Sequence, residues 1–176
     1  MNGKWVAGFI VLAAILFGGA LYYNQEYAFY DRVSVGAPAA EVRATTFMGT
    51  TEDLLAEGFD GVDAPTSPIK YRACFSTPLS IAMMTETFVP YEKAAPLIAP
   101  RWFDCFDAKR IGADIENGTA FAFLGEENIT YGIDRVIAVY PDGSAYAWNQ
   151  INHCGEAVFD GNPAPEGCPE APAQGQ

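Results

Sequence analysis

From Trp5 to Tyr23 the chain runs for 19 residues, WVAGFIVLAAILFGGALYY, without a charged side chain. Such a stretch must be covered by a protein core or by lipid. As a helix it spans about 28 Å, close to the thickness of bilayer hydrocarbon. Trp5 stands at one end and Tyr22 and Tyr23 at the other, where aromatic rings favour the headgroup layer. Lys4 is the only basic side chain before the stretch ends. It favours a cytoplasmic start for residues 1–4 and an outside location for everything after residue 23. The asymmetry is small, because Arg32 lies on the other flank. A cleavable signal peptide is the rival reading, with Gly18-Gly19-Ala20 as the small residues of a cleavage site. Against it, the apolar run continues through Leu21, Tyr22 and Tyr23. Tyr23, Tyr27 and Tyr30 then recur at helical spacing, which predicts a juxtamembrane helix and linker over 24–40.

Whatever follows this anchor is acidic. The whole chain has 10 Lys+Arg against 22 Asp+Glu, a net of −12. Removing Lys4 leaves 9 basic and 22 acidic residues, a net of −13. After Arg135 there is no Lys or Arg. Nucleic acid is excluded as a natural partner, since phosphate binding needs cations to displace counterions. Anionic lipid headgroups should be repelled as well. A basic protein partner fits the charge, beside the plainer reading of a solvated acidic surface.

All four cysteines, Cys74, Cys105, Cys154 and Cys168, lie after the anchor. An even number outside the membrane reads as two disulfides in an oxidising compartment. Three pairings are open; the preferred one is Cys74 with Cys105 and Cys154 with Cys168. The second pair would tie down HCGEAVFDGNPAPEGCP, read as irregular because of its Gly and Pro. Metal is the competing use of His153 and Cys154. Zinc sites usually bring ligands in local pairs, and neither C-x-x-C nor H-x-x-x-H occurs. The expectation is no metal and no cofactor.

The rest of the chain reads as one domain over 41–168 and a loose tail over 169–176. Residues 42–48 predict a strand, and FDGVDAPTSP a loop. IKYRACF alternates, with Ile69, Tyr71, Ala73 and Phe75 on one face. STPLSIAMMTETFVPY predicts a turn and then a strand from Thr85 to Val89. Asp107 to Asn117 is the best soluble helix, capped by Asp107 and ended by Gly118. TAFAFLG predicts a buried strand. DRVIAVY and SAYAWNQIN flank Pro141-Asp142-Gly143 as a hairpin. The fold class is therefore α+β: a transmembrane helix, then a small, mostly antiparallel sheet with one main helix, stapled by disulfides.

No catalytic motif stands out. Asp104 and Asp107 flank Cys105 beside Arg101 and Trp102, a carboxylate pair near an aromatic ring. Arg72 and Arg135 sit on predicted strands, where they can pair with acids or hold an anion. Trp102, Tyr146 and Trp148 are the aromatic candidates for lining a pocket. Candidate binding residues are thus Arg72, Trp102, Asp104, Arg135, Trp148 and His153, with none assigned as catalytic.

YYNQEYAFY at the end of the anchor, SPIKYRACF, WFDCFDA, YGIDRVIAVYPDG and INHCGEAVFDG together resemble a family of alphaproteobacterial membrane proteins that carry a domain of unknown function. The likeness runs from the anchor to about Cys168. It implies an inner-membrane address in a Gram-negative cell and supplies no catalytic residue. The function expected is a membrane-anchored periplasmic interaction or assembly module that works with another envelope protein. The alternatives are a small-ligand-binding or sensing domain, and a hydrolase using Asp104, Asp107 or His153.

Overall fold

The computed structural model describes residues 3–172. Residues 1–2 and 173–176, the ends of the predicted cytoplasmic start and loose tail, lie outside them. Helix α1, Gly3–Tyr23, has no buried residue. At 1.5 Å per residue its length is about 31 Å. It is long and apolar enough to cross a membrane. A π-helical turn, Asn24–Ala28, continues it directly.

The domain is built on one antiparallel sheet of six strands in the order β1-β4-β5-β8-β7-β6. These are β1 (Asp31–Arg32), β4 (Glu57–Asp63), β5 (Arg72–Ser76), β6 (Phe121–Leu124), β7 (Ile133–Val139) and β8 (Ser144–Ile151). A two-stranded ribbon, β2 (Arg43–Thr45) and β3 (Thr51–Asp53), forms a separate sheet packed against it. The predicted hairpin forms β7 and β8, with Gly143 at φ 86° closing the turn. A side chain there would strain the backbone, which is why glycine fits.

Both faces of the sheet are covered, so its central strands are buried over most of their length, their few polar side chains included. Every residue of β7 is buried. Tyr71, Ala73, Phe75, Ile137 and Val139 point into one core, under the ribbon and helix α2 (Ile81–Thr87). Cys74, Val136, Ala138 and Trp148 point into the other, under Phe103, Phe106 and Ile111 of helix α3 (Ala108–Glu116). Alternation along β5 sorts its side chains between these layers as the sequence predicts. The Asp107 side chain caps α3 by accepting from the Arg110 N–H at 3.1 Å, and Gly118 takes φ 79° after it. Among the described helices after α1, α3 is the longest.

Four local expectations need correction. Residues 85–87 are the end of α2 and not a strand, because Ser80 caps a helix by accepting from the Met83 N–H at 3.2 Å. Extended pairing starts only at Phe88, where Val89 donates to the Thr45 carbonyl and Leu124 donates to Val89. FDGVD is no loop but most of β4, paired with β1 and β5 and bulged between Glu57 and Asp60. Strand β6 is an edge strand, with Phe121 exposed and only Phe123 fully buried. HCGEAVF is helix α4, His153–Phe159, started by Asn152, whose side-chain oxygen accepts from the Cys154 and Gly155 N–H groups at 3.0 Å.

The preferred pairing of cysteines is the one present. Cys74 on β5 bonds Cys105 just ahead of α3, and Cys154 on α4 bonds Cys168. Loops of this size are worth roughly 3–4 kcal/mol each in the chain-entropy account. Two such crosslinks are the mark of an oxidising, non-cytoplasmic setting.

Candidate functional site

The longest irregular stretch, 88–106, crosses the edge of the sheet, and beneath it lies a cavity of about 680 Å³. Ile69, Val89, Leu97, Leu124 and Ile151 give it apolar walls. Its polar floor comes from the ends of β7 and β8 and the start of α4: Asp134, Gln150, Asn152 and His153. Tyr91, Glu92, Lys93 and Glu156 also line it.

Asp134 is the centre of this floor. It is only 5 % exposed. Its Oδ1 accepts from the Asn152 amide at 2.7 Å and from the Asn128 N–H at 2.9 Å. Its Oδ2 accepts from the Tyr91 hydroxyl at 3.1 Å. Three donors on one carboxyl group are the pattern of an ionised carboxylate, which can only accept. No salt bridge among the described residues reaches it. Burial, and next the Asp134 charge beside it, push the Tyr91 phenol above its ordinary range, so it stays an O–H donor.

Gln150 holds the roof to the floor. Its side-chain oxygen accepts from the Ala95 N–H at 2.8 Å and the Trp148 indole at 3.0 Å, and its amide donates to the Lys93 carbonyl at 2.9 Å. Besides the Tyr91 phenol, the ionisable side chains on the cavity are three carboxylates, one ammonium and one imidazole. The site is therefore preformed, apolar-walled and negative.

Of the sequence candidates, only His153 lines this cavity. Its Nε2 lies 3.4 Å from Cys154 Sγ and 3.5 Å from Cys168 Sγ. Those two sulfurs are bonded to each other, so the trio offers only the imidazole as a free ligand atom. Asp104 and Asp107 line a separate hollow of about 360 Å³ near Pro100 and Phe103. His153 is not on it, so the three proposed hydrolase groups do not share a site.

The aromatic candidates do not form a pocket wall together. Trp148 is fully buried. Trp102 donates its indole N–H to the Glu26 carbonyl at 2.6 Å, just past the end of α1. Tyr146 accepts from Arg110 of α3 at 2.9 Å.

Both arginine candidates are buried. Arg72 is 3 % exposed and donates to the carbonyls of Leu97 and Ile69, each at 2.7 Å, and of Ile98 at 3.4 Å. Burial lowers its pKa to about 10, with Tyr30 and Asp63 opposing the fall. Arg135 lies with its guanidinium 3.8 Å from the Tyr71 ring centroid and donates to Asn149 at 3.1 Å.

Sequence reading missed Asp134, Tyr91, Gln150 and Asn152. One signal was available: Asp134 and Arg135 fall side by side near the start of IDRVIAV, so they point to opposite faces of the strand and each needs its own partners. Asn152 ahead of HCGEAVF was also a legible helix start.

No curated protein and no solved structure matches the chain. The profile of a family of unknown function (DUF6446) matches residues 41–169, from just ahead of β2 to just past the second disulfide. That match takes in the whole cavity floor and both crosslinks, and on it the chain belongs to the DUF6446 family.

Proposed function

We propose that the protein is a non-enzymatic interaction module of the cell envelope. One span holds it in the inner membrane with the domain in the periplasm, and the cavity over Asp134 receives a basic side chain of another envelope protein. The observation that carries this reading is Asp134 itself, buried, faced only by neutral donors and opening on a negative cavity. A buried charge without a counter-ion is costly, so a cation that enters recovers more than it would at an exposed carboxylate. The acidic domain favours the same partner from a distance. Fixed walls favour it too, because little ordering is left to be done on binding.

A second reading shares the chemistry: a small amphipathic amine as the ligand. A volume of 680 Å³ falls in the range of small-molecule sites.

The test is zero-length carbodiimide coupling on native membranes, which joins a carboxylate to an amine in contact with it. The expected product links Glu92 or Glu156 to a lysine of one other envelope protein, and is lost in the Asp134→Asn variant. A crosslink pattern that Asp134→Asn leaves unchanged sinks the reading. Protection of the carboxylates by an added alkylamine, with no protein adduct, selects the small ligand instead.

A further inference from the structure

The exit of the anchor is bound to the domain, not merely connected to it. Glu26 stands three residues past the end of α1. Its carbonyl accepts from the Trp102 indole at 2.6 Å, and its carboxylate accepts from the Arg101 N–H at 3.1 Å. At no more than the α-helical rise of about 1.5 Å per residue, Glu26 lies within about 5 Å of Tyr23 along the helix axis. The headgroup layer is about 5–7 Å deep on each side of the hydrocarbon. With Tyr23 at the hydrocarbon edge, residues bonded to Glu26 therefore lie inside the headgroup layer.

The loop that meets Glu26 is shaped for that layer. Ile98 is 83 % exposed, and the Arg101 side chain 82 %. Neither exposure is slack. Arg72 holds the carbonyls of Leu97 and Ile98 from below, and Pro100 and Phe103 are buried behind them. The chain thus fixes an isoleucine outward beside an arginine, next to an indole. That is the composition of an interfacial contact, with an aliphatic group for the acyl boundary and cation and ring for the headgroups. The neighbouring cations lie on the same side: Lys70 sits 5.1 and 5.2 Å from the rings of Phe29 and Tyr30, and Arg32 5.4 Å from that of Trp102. Asp60 offsets Arg32, and Glu26 offsets Arg101. Apolar insertion rather than net charge must then supply the contact, which reconciles it with a domain that anionic lipids repel.

We propose that the 97–102 loop is a second membrane contact, in which Ile98 enters the headgroup–acyl boundary and Arg101 lies among lipid phosphates. The domain is then seated on the bilayer in one orientation instead of swinging from a tether. This rests on α1 being a span. The chain neighbours of Lys70 and Ile98, Ile69 and Leu97, line the cavity over Asp134, so seating would also hold that cavity near the membrane surface.

The test uses full-length protein in phosphatidylcholine nanodiscs, with a fluorescent amino acid placed at one position at a time and nitroxide-labelled lipid as quencher. Position 98 reports on the loop and position 16 on the span. Position 142 is the control, because the β7–β8 turn lies beside Thr77, at the other end of β5 from Arg72. A group buried in the boundary should be quenched at least about twofold more than one in bulk water. The expected result is strong quenching at 16 and 98 and weak quenching at 142, unchanged when a third of the lipid is anionic. Strong quenching at 16 with equal, weak quenching at 98 and 142 overturns the seating alone. Weak quenching at 16 overturns the span and the seating together.

Discussion

Gly155→Ala isolates the contact that positions the cavity floor. Alanine in a helix is favoured over glycine by about 1 kcal/mol, so helix propensity alone predicts a gain. The structure reverses the sign. A Cβ on Gly155 would stand 2.3 Å from the Gly132 carbonyl oxygen, 2.9 Å from Gly132 Cα and 2.9 Å from Ile151 Cγ2. Two of these are backbone atoms, and the Gly132 carbonyl already accepts from the Asn152 N–H at 2.9 Å. Gly132 itself sits at φ 76°, so the turn before β7 has little freedom to give. Helix α4 must lift off the strand, which costs about 1–3 kcal/mol for overpacking and about 1 kcal/mol for the hydrogen bond. The net loss is about 1–3 kcal/mol, or a fall in Tm of about 3–10 °C for a chain of this size. The assay is calorimetric melting of the full-length protein in detergent with disulfides intact. Gly112→Ala is the internal control. It lies mid-way along α3, and its Cβ would meet nothing closer than Pro96 Cδ at 3.7 Å. That variant should gain stability, by up to about 1 kcal/mol. If Gly155→Ala melts as high as Gly112→Ala, the close approach of α4 to β7 is wrong.

Replacing Cys74 and Cys105 together by Ala should cost about 3–4 kcal/mol, and replacing Cys154 and Cys168 about 3 kcal/mol, each read from urea midpoints. Arg72→Met should cost about 2–4 kcal/mol, because the carbonyls of Ile69, Tyr71, Leu97 and Ile98 lose a charged donor; faster amide exchange at 97–101 is the accompanying signal. At alkaline pH, Tyr71 is pushed up to about 12 by burial, and burial also raises Tyr91 and Tyr140. A phenol whose folded pKa exceeds its unfolded value of about 10 stabilises the fold fully below pH 10. That contribution is lost as pH rises from 10 toward 12. Arg72, lowered to about 10, works in the opposite sense over the same range and offsets part of the loss. Phenolate absorbance should therefore rise together with loss of circular dichroism; full titration of all tyrosines in a still-folded protein would contradict it.

What the sequence disclosed is what local chemistry decides. The β7–β8 hairpin rests on Pro141-Asp142-Gly143, and α3 on Asp107 and Gly118, all within a few residues of the elements they bound. Disulfide pairing was also legible, because each bridge closes a short loop. Elements whose partners lie far away read poorly. Strand β4 carries Gly58, Asp60 and Gly61, which resemble a turn until β1 and β5 pair with it on both sides. Helix α2 contains Thr85 and Thr87, whose branched side chains favour strands, and only the Ser80 cap betrays it. The cavity is the extreme case. Tyr91 reaches Asp134 across 43 residues of chain and Asn152 reaches it across 18, and no spacing rule connects them.

The most direct test of the whole account is a thiol count on material extracted under native conditions. Membranes are treated with a polyethylene-glycol maleimide before and after reduction, and the mass of the chain is read on a gel. A single-span protein with a doubly crosslinked domain outside the cytoplasm takes up no label before reduction and four after it, and partitions wholly with the membrane. Four additions before reduction, or full-length chain in the soluble fraction, would contradict it.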